Sequence, residues 1–124
     1  MGDNHSVCEA YRVTPPVTVL QPADNMYNIY RFTAISTTYG TLLENYASTG
    51  SILIWQIEED NCVANNTMKL KFVGGVDIVA PNVSYEVTYY GFFEPEKTYV
   101  MAVYTKGKLS AQAYKLTLRQ VAGR

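Results

Sequence analysis

Short segments rich in β-branched and aromatic residues recur along this chain at intervals of roughly ten residues, with turn-forming residues between them. In residues 67–73, three apolar side chains alternate with Lys69 and Lys71, as in a strand with one buried and one solvated face. Residues 27–35 and 51–57 are apolar on both faces, and residues 51–57 indicate a central strand. No segment of useful length has helical periodicity, so the pattern favours an all-β fold.

Eight or nine such segments fit into the 124 residues, as in many antiparallel sandwiches and barrels. We predict one β domain over residues 1–124, an antiparallel β-sandwich of jelly-roll or immunoglobulin-like type, with a closed β-barrel as the alternative. Residues 1–14 have few anchors and are expected to form a loosely ordered N-terminal segment. Residues 17–20 follow two prolines and are expected to form an edge strand, where proline is tolerated.

Local chemistry predicts two turns and the position of one aromatic ring. Gly74-Gly75 is expected to supply the positive φ angles of a tight hairpin after the alternating strand. Residues 94–97 (EPEK) are expected to form a turn, with proline at the position that suits its fixed φ angle. Trp55 lies in the strand predicted to be central, so we expect a largely buried indole.

The two cysteines, Cys8 and Cys62, are predicted to form an intramolecular disulfide. They lack a Cys-x-x-Cys spacing and the chain has one histidine, so a zinc site is not expected. A disulfide between them would close a loop of about 55 residues and stabilise the fold by about 4 kcal/mol through loop entropy. Two unrelated buried thiols are the alternative.

The expected location is secreted or extracellular. The N-terminal residues lack the basic and apolar regions of a secretory signal, which fits either a cytosolic protein or a mature secreted domain. The cysteine pair favours the second, because disulfides persist in oxidising compartments. Three Asn-x-Ser/Thr sequons, which begin at Asn4, Asn65 and Asn82, favour it as well.

The sequence offers little chemistry for catalysis, and we predict that the protein is not an enzyme and uses no cofactor or metal. Nucleophilic catalysis normally needs a histidine base, and His5 lies in the polar N-terminal segment, where it is expected to be untethered. Glu86 is expected to point outward into solvent. Residues 58–61 (EEDN) could hold Ca²⁺ through oxygen ligands, but they lack the spacing of an EF-hand loop, so a solvated strand end is preferred.

Charge and hydropathy argue against two classes of partner. The net charge is −1, from 10 Lys and Arg against 11 Asp and Glu, so there is no basic excess for binding nucleic acid. No apolar run approaches the ~20 residues that a membrane-spanning helix needs. Neither nucleic acid nor a membrane span is therefore expected, and the tyrosine content instead favours a protein or carbohydrate partner.

The chain is rich in tyrosine, with 11 residues of this type. Neighbouring residues of a strand face opposite ways, so one of Tyr89 and Tyr90 is expected to be exposed. Exposed tyrosine offers a large contact area at low entropy cost, which suits binding. The predicted ligand-binding residues are Tyr85, Tyr89, Tyr90, Phe92 and Phe93. The alternative is that tyrosine is used here only as a good strand former.

Several strands together resemble the bacterial pre-peptidase C-terminal domains. The matching segments are residues 29–34 (IYRFTA), 40–42 (GTL), 51–55 (SILIW), 94–104 (EPEKTYVMAVY) and 114–118 (YKLTL). The resemblance spans about residues 27 to 118. It implies a secreted, non-catalytic β-sandwich module that assists substrate binding or secretion. Two departures are that Glu96 replaces the family's usual glycine and that its acidic calcium-binding segment is missing, so no calcium site is carried over.

A second set of segments is similar to lipocalins, namely residues 15–17 (PPV), 27–31 (YNIYR), 85–87 (YEV) and 99–104 (YVMAVY). The lipocalin Gly-x-Trp motif is absent, since residues 24–26 read Asp-Asn-Met, and the chain is short for that barrel with its helix. Both resemblances imply extracellular binding. We therefore predict a non-catalytic extracellular binding or adhesion module for protein or carbohydrate, with a lipocalin-like small-molecule carrier as the alternative.

Overall fold

The structure, a computed structural model, describes residues 4–22, 26–44, 49–78, 84–106 and 113–121. Within these ranges the chain forms nine strands: β1 (Tyr11–Arg12), β2 (Val17–Pro22), β3 (Tyr27–Thr33), β4 (Tyr39–Glu44), β5 (Thr49–Asn61), β6 (Thr67–Ile78), β7 (Ser84–Tyr89), β8 (Thr98–Lys106) and β9 (Ala113–Gln120). A 3₁₀ turn covers Val7–Glu9, and a one-turn helix, α1, covers Cys62–Asn65. Neither described helix is long or apolar enough to cross a membrane.

The strands form two sheets that pack as a β-sandwich, which confirms the predicted fold class. One sheet has the order β1-β3-β8-β5-β6 and the other β2-β9-β4-β7. All neighbours are antiparallel except β1 and β3. Each sheet ends in two edge strands, so neither closes on itself and the barrel alternative is wrong. The strand after the two prolines, β2, is an edge strand, as predicted.

Tyrosine side chains fill much of the core between the sheets, which accounts for a large part of the tyrosine excess. Tyr30, Tyr39, Tyr99 and Tyr114 are fully buried. A buried phenol must find a hydrogen-bond partner, because an unpaired hydroxyl in an apolar interior is costly. The core therefore combines large aromatic area with internal hydrogen bonds.

Each of these four hydroxyls has such a partner. The Tyr30 hydroxyl donates to Gln21 Oε1 (2.9 Å) and lies 2.8 Å from the Tyr114 hydroxyl, so Tyr114 donates to Tyr30. The Tyr39 hydroxyl accepts the Ile35 N–H (2.9 Å), and the Tyr99 hydroxyl accepts the Glu94 N–H (2.7 Å). Burial raises the pKa of Tyr99, which favours its neutral phenol.

The N-terminal segment is anchored from Asn4 onward. Residues 1–14 were expected to be loosely ordered, and of these the structure describes residues 4–14. The Asn4 side chain is buried, and its Nδ2 donates to the Ile29 carbonyl (3.0 Å). The Ile29 N–H donates back to the Asn4 carbonyl (2.9 Å). The predicted disulfide between Cys8 and Cys62 is confirmed, with Cα atoms 5.5 Å apart. It ties the segment to α1.

The predicted hairpin at Gly74-Gly75 is wrong, because both glycines lie inside β6. Gly74 pairs with Ile54 of β5 and Gly75 pairs with Leu53, and a register shift follows at the Ile54/Trp55 step. A Cβ atom at Gly74 would collide with the Phe92 ring, and one at Gly75 would lie 2.6 Å from the Ile52 carbonyl oxygen. The glycines are required by close approach, a known role of glycine within strands.

The turn predicted at residues 94–97 is present, and one of its residues, Glu96, has a strained backbone conformation. The Lys97 N–H donates to the Glu94 carbonyl (3.2 Å), and Glu96 has a φ angle of 74°. This is the left-handed region that residues with a side chain adopt at a cost. The conformation is held in place because the Glu96 N–H donates to the Ala34 carbonyl (2.7 Å).

Replacing Glu96 by glycine is expected to stabilise the protein by about 0.5–1 kcal/mol, since glycine adopts a positive φ angle without steric cost. Glu96 is exposed, so no packing is lost. Chemical denaturation of both proteins measures the change. As a control, Glu94→Gly, which lies outside the positive-φ position, should not stabilise. A Glu96→Gly protein that is less stable than the parent would contradict the strain at this turn.

Candidate functional site

The five aromatic residues predicted to bind a ligand are divided between core and surface. Tyr89 and Phe93 are only 3% and 2% exposed and belong to the core, so they are not available to a ligand, which corrects that part of the prediction. Tyr85 is partly buried against the same core. Tyr90 and Phe92 are 57% and 39% exposed. The opposite orientation of Tyr89 and Tyr90 agrees with the strand alternation.

Trp55 lies in β5, a strand inside the five-stranded sheet, as predicted. The structure adds which face it occupies: its indole is on the outer face, partly buried against Ile29, Val100 and Ala102. The indole contacts Phe72 of β6 in an edge-on arrangement, with ring centroids 5.8 Å apart. Phe72 is 58% exposed. The apolar character of β5 on both faces thus serves the core on one side and an exposed surface on the other.

A shallow cleft of about 410 Å³ lies on this outer face of the five-stranded sheet. We call it the outer aromatic cleft. Most of its walls come from strand side chains, namely Tyr27, Ile29, Leu53, Trp55, Leu70 and Ala102. The N-terminal segment adds His5 and Val7 as a further wall. The disulfide that anchors this segment therefore also helps to position one wall of the cleft.

Strand register explains why the sheet face is hollow at this place. Side chains of directly paired residues share a face of the sheet. One transverse row consists of Ile29, Ala102, Leu53 and Gly75, in which two positions carry little or no side chain. Aromatic side chains occur in the rows on either side, which consist of Tyr27, Tyr104, Ser51 and Asp77 in one and Arg31, Val100, Trp55 and Phe72 in the other. The small residues form the floor and the aromatic residues form the rims.

A second shallow cleft, of about 430 Å³, continues the first toward the β6 edge. The two clefts share Leu53. Phe72, Gly75 and Phe92 also line the second cleft. Phe92, predicted from the sequence as a binding residue, therefore lines a cleft of mainly apolar residues, with Asp77 as its charged member, that the sequence did not reveal. The signal that could have found this surface is the tryptophan in a strand that is apolar on both faces.

The acidic run at residues 58–61 is used within the fold. Asp60 forms an ion pair with Arg31 (Oδ2 to Nη1, 3.0 Å), and its Oδ1 accepts the Cys62 N–H (3.1 Å). The hydrogen bond from Cys62 and then that from Arg31 lower the pKa of Asp60. Across the described ranges, no three His, Cys, Asp or Glu residues are grouped so that they could hold a metal ion.

The remaining polar candidates also have structural partners. His5 was expected to be untethered, but its side chain is held in place. Its Nδ1 donates to the Tyr27 carbonyl oxygen at 2.9 Å. Glu86 is exposed, as expected, and pairs with Arg119 at 3.3 Å. The side chain of Asn4, the first residue of one sequon, is buried in this fold, whereas Asn65 is exposed at the end of α1. Asn82 lies outside the described residues.

Comparisons with known proteins show similarity at the level of the fold. No protein-family model and no curated protein matches the chain. Among solved structures, the pre-peptidase C-terminal domain of a collagenase from Bacillus anthracis is similar, with a TM-score of 0.57 and 13% sequence identity. The match covers 89% of this chain and 94% of that domain. The resemblance to pre-peptidase C-terminal domains is thereby confirmed at the level of the fold.

Proposed function

We propose that this protein is a non-catalytic, extracellular binding module that holds a segment of a protein ligand along the outer aromatic cleft and the second cleft, which meet at Leu53. The observation that carries the proposal is the hollow row on the outer sheet face, with Ala102 in the first cleft and Gly75 in the second as its floor and aromatic side chains as its rims. Recognition clefts are typically concave, mostly apolar and largely preformed. Here the shape comes from interior positions of paired strands, which hold it rigid.

Three observations favour a protein ligand over a carbohydrate. The lining of the outer aromatic cleft is almost entirely apolar, with His5 and Tyr27 as its polar members. The His5 Nδ1 already donates to the Tyr27 carbonyl oxygen. A sugar would lose hydrogen bonds to water in such a cleft without regaining them. The similar solved domain belongs to a collagenase, an enzyme whose name states a protein substrate.

Two further observations support the remaining parts of the proposal. The Cys8–Cys62 disulfide suits an oxidising, extracellular compartment. Both cysteines are used in the disulfide, so neither thiol is available as a nucleophile. These contacts support a module that binds without catalysing a reaction.

The aromatic rims, with Trp55 partly buried and Phe72 exposed, should supply most of the binding energy. Trp55→Ala and Phe72→Ala are each expected to weaken binding by about 1–3 kcal/mol, the range for aromatic residues at an interface. Ligands would be selected from a displayed peptide library, with a glycan array in parallel, and affinities measured by calorimetry. Leu20→Ala, an exposed apolar position on the other sheet, is the matched control and should bind like the parent.

Thermal melts separate loss of binding from loss of folding. Phe72→Ala should melt close to the parent because its ring is mostly exposed, so it is the more decisive of the two variants. Failure to select any peptide, or peptides that bind all variants equally, would refute the proposal. Glycans retained by the parent and lost in Phe72→Ala would assign the cleft to carbohydrate instead.

A further inference from the structure

A third cleft, also of about 410 Å³, lies where β1 and β3 end, beside the start of β8, and differs in chemistry. We call it the arginine cleft. It is lined by arginine, threonine and apolar side chains, among them Arg12, Arg31, Thr33, Thr98, Val13 and Ile35. Among the residues that the structure describes, none of those lining it belongs to the outer aromatic cleft and none is acidic.

The two arginines lie side by side, and one carboxylate, Asp60, pairs with one of them. Arg12 and Arg31 are direct partners in the parallel pairing of β1 and β3. Like charges in that relation repel each other. Asp60 pairs with Arg31, while Arg12 forms no ion pair within the described part of the chain. The pair therefore keeps an excess positive charge at the cleft, which an anion could neutralise.

Arg31 is fixed in position and poorly hydrated. Its Nη1 is held by Asp60, and its Nε is closed to solvent and has no acceptor. A guanidinium group with little water around it projects a field that is weakly screened. Arg12 is exposed, so direct contact with an entering anion is expected at Arg12, with Arg31 adding charge at short range.

Hydroxyl and apolar groups complete the lining. The Thr33 and Thr98 hydroxyl oxygens are 3.0 Å apart. Only one of their two protons can lie between them, so the other hydroxyl is able to donate to a ligand. Val13 and the highly exposed Ile35 add apolar surface. The cleft is many times larger than the roughly 30 Å³ that one water molecule occupies, so it has room for more than a single ion.

We infer that the arginine cleft binds an organic carboxylate that carries an apolar substituent, the chemistry of a peptide C terminus with an apolar last residue. The planar guanidinium matches a carboxylate in geometry, the threonine hydroxyl adds a donor, and the apolar lining takes the substituent. This site is separate from the proposed function and does not depend on it.

The test compares two probes that differ only in charge, N-acetyl-leucine and N-acetyl-leucinamide, titrated into ¹⁵N-labelled protein at constant ionic strength. N-acetyl-leucine should give saturable shifts at the Arg12 and Arg31 side-chain N–H signals and at the Thr33 and Thr98 amides. The neutral amide should bind at least about tenfold more weakly, because it lacks the charge-assisted hydrogen bonds. Acetate should bind about fivefold more weakly, because it buries no apolar group.

Variants assign the shifts to the cleft. Arg12→Gln should weaken N-acetyl-leucine binding at least about fivefold and keep the Arg31–Asp60 pair and the melting temperature. Arg119→Gln removes the same charge from the other sheet and should bind like the parent. Equal binding of both probes, or Arg12→Gln binding like the parent, would overturn the assignment. Sulfate binding more tightly than N-acetyl-leucine would replace it with a site for inorganic anions.

Discussion

Replacing Cys8 and Cys62 together by serine is expected to lower the free energy of unfolding by about 4 kcal/mol. The disulfide joins residues 54 positions apart, so its removal frees a large loop in the unfolded chain. It also joins the N-terminal segment to α1 in the folded protein. Guanidinium denaturation of the double variant and the parent measures the loss.

Two controls make this result specific to the disulfide. A reducing agent should destabilise the parent by a similar amount and leave the double variant unchanged. Hydrogen exchange should show faster exchange of the Ile29 amide, which donates to Asn4, than of the core around Tyr99. A double variant within about 1 kcal/mol of the parent would contradict the stabilising role, since loop entropy alone predicts more.

Phe93→Ala is expected to lower the free energy of unfolding by about 3–5 kcal/mol, because it empties the centre of the aromatic core. Phe93 is almost fully buried, and its ring centroid lies 4.9 Å from that of Tyr99, 5.1 Å from that of Tyr39 and 5.7 Å from that of Phe32. Those rings belong to strands of both sheets. Urea denaturation, with the slope as a check of two-state behaviour, measures the effect.

The preceding residue provides a matched control with the same side chain. Phe92→Ala should cost at most about 1.5 kcal/mol, because its ring is partly exposed and contacts mainly Gly74 and Tyr89. Equal losses for the two variants would contradict the division between core and surface at these neighbouring residues. A larger loss at Phe92 would assign the buried position to the other ring.

Several features could be predicted because they depend on nearby residues only. The alternation in residues 67–73 is a local property, and these residues do form part of β6. The two prolines before β2 restrict pairing wherever the strand lies, and the structure places β2 at a sheet edge. The turn at residues 94–97 follows from proline geometry in the same way.

The errors concern features that depend on strands distant in sequence. Gly74-Gly75 has the composition of a hairpin turn, yet β6 continues through it because β5 pairs along its whole length and Phe92 occupies the space above Gly74. Trp55 was predicted to be buried without a face being assigned, and it packs on the outer face because Ile29, Val100 and Ala102 of the paired strands form a second apolar cluster there. The N-terminal segment has few anchors of its own and is held by Ile29 and Cys62.

The sequence by itself therefore determined the class of fold, the disulfide and the lack of evident catalytic motifs, because strand periodicity, cysteine number and residue types are read without knowledge of neighbours. Only the tertiary structure decided which face of each doubly apolar strand lies in the core. It also placed Ala102 and Gly75 in one row and Arg12 beside Arg31. The physical reason is that the clefts arise from register between strands far apart in the chain, and register is set by packing of the whole sandwich.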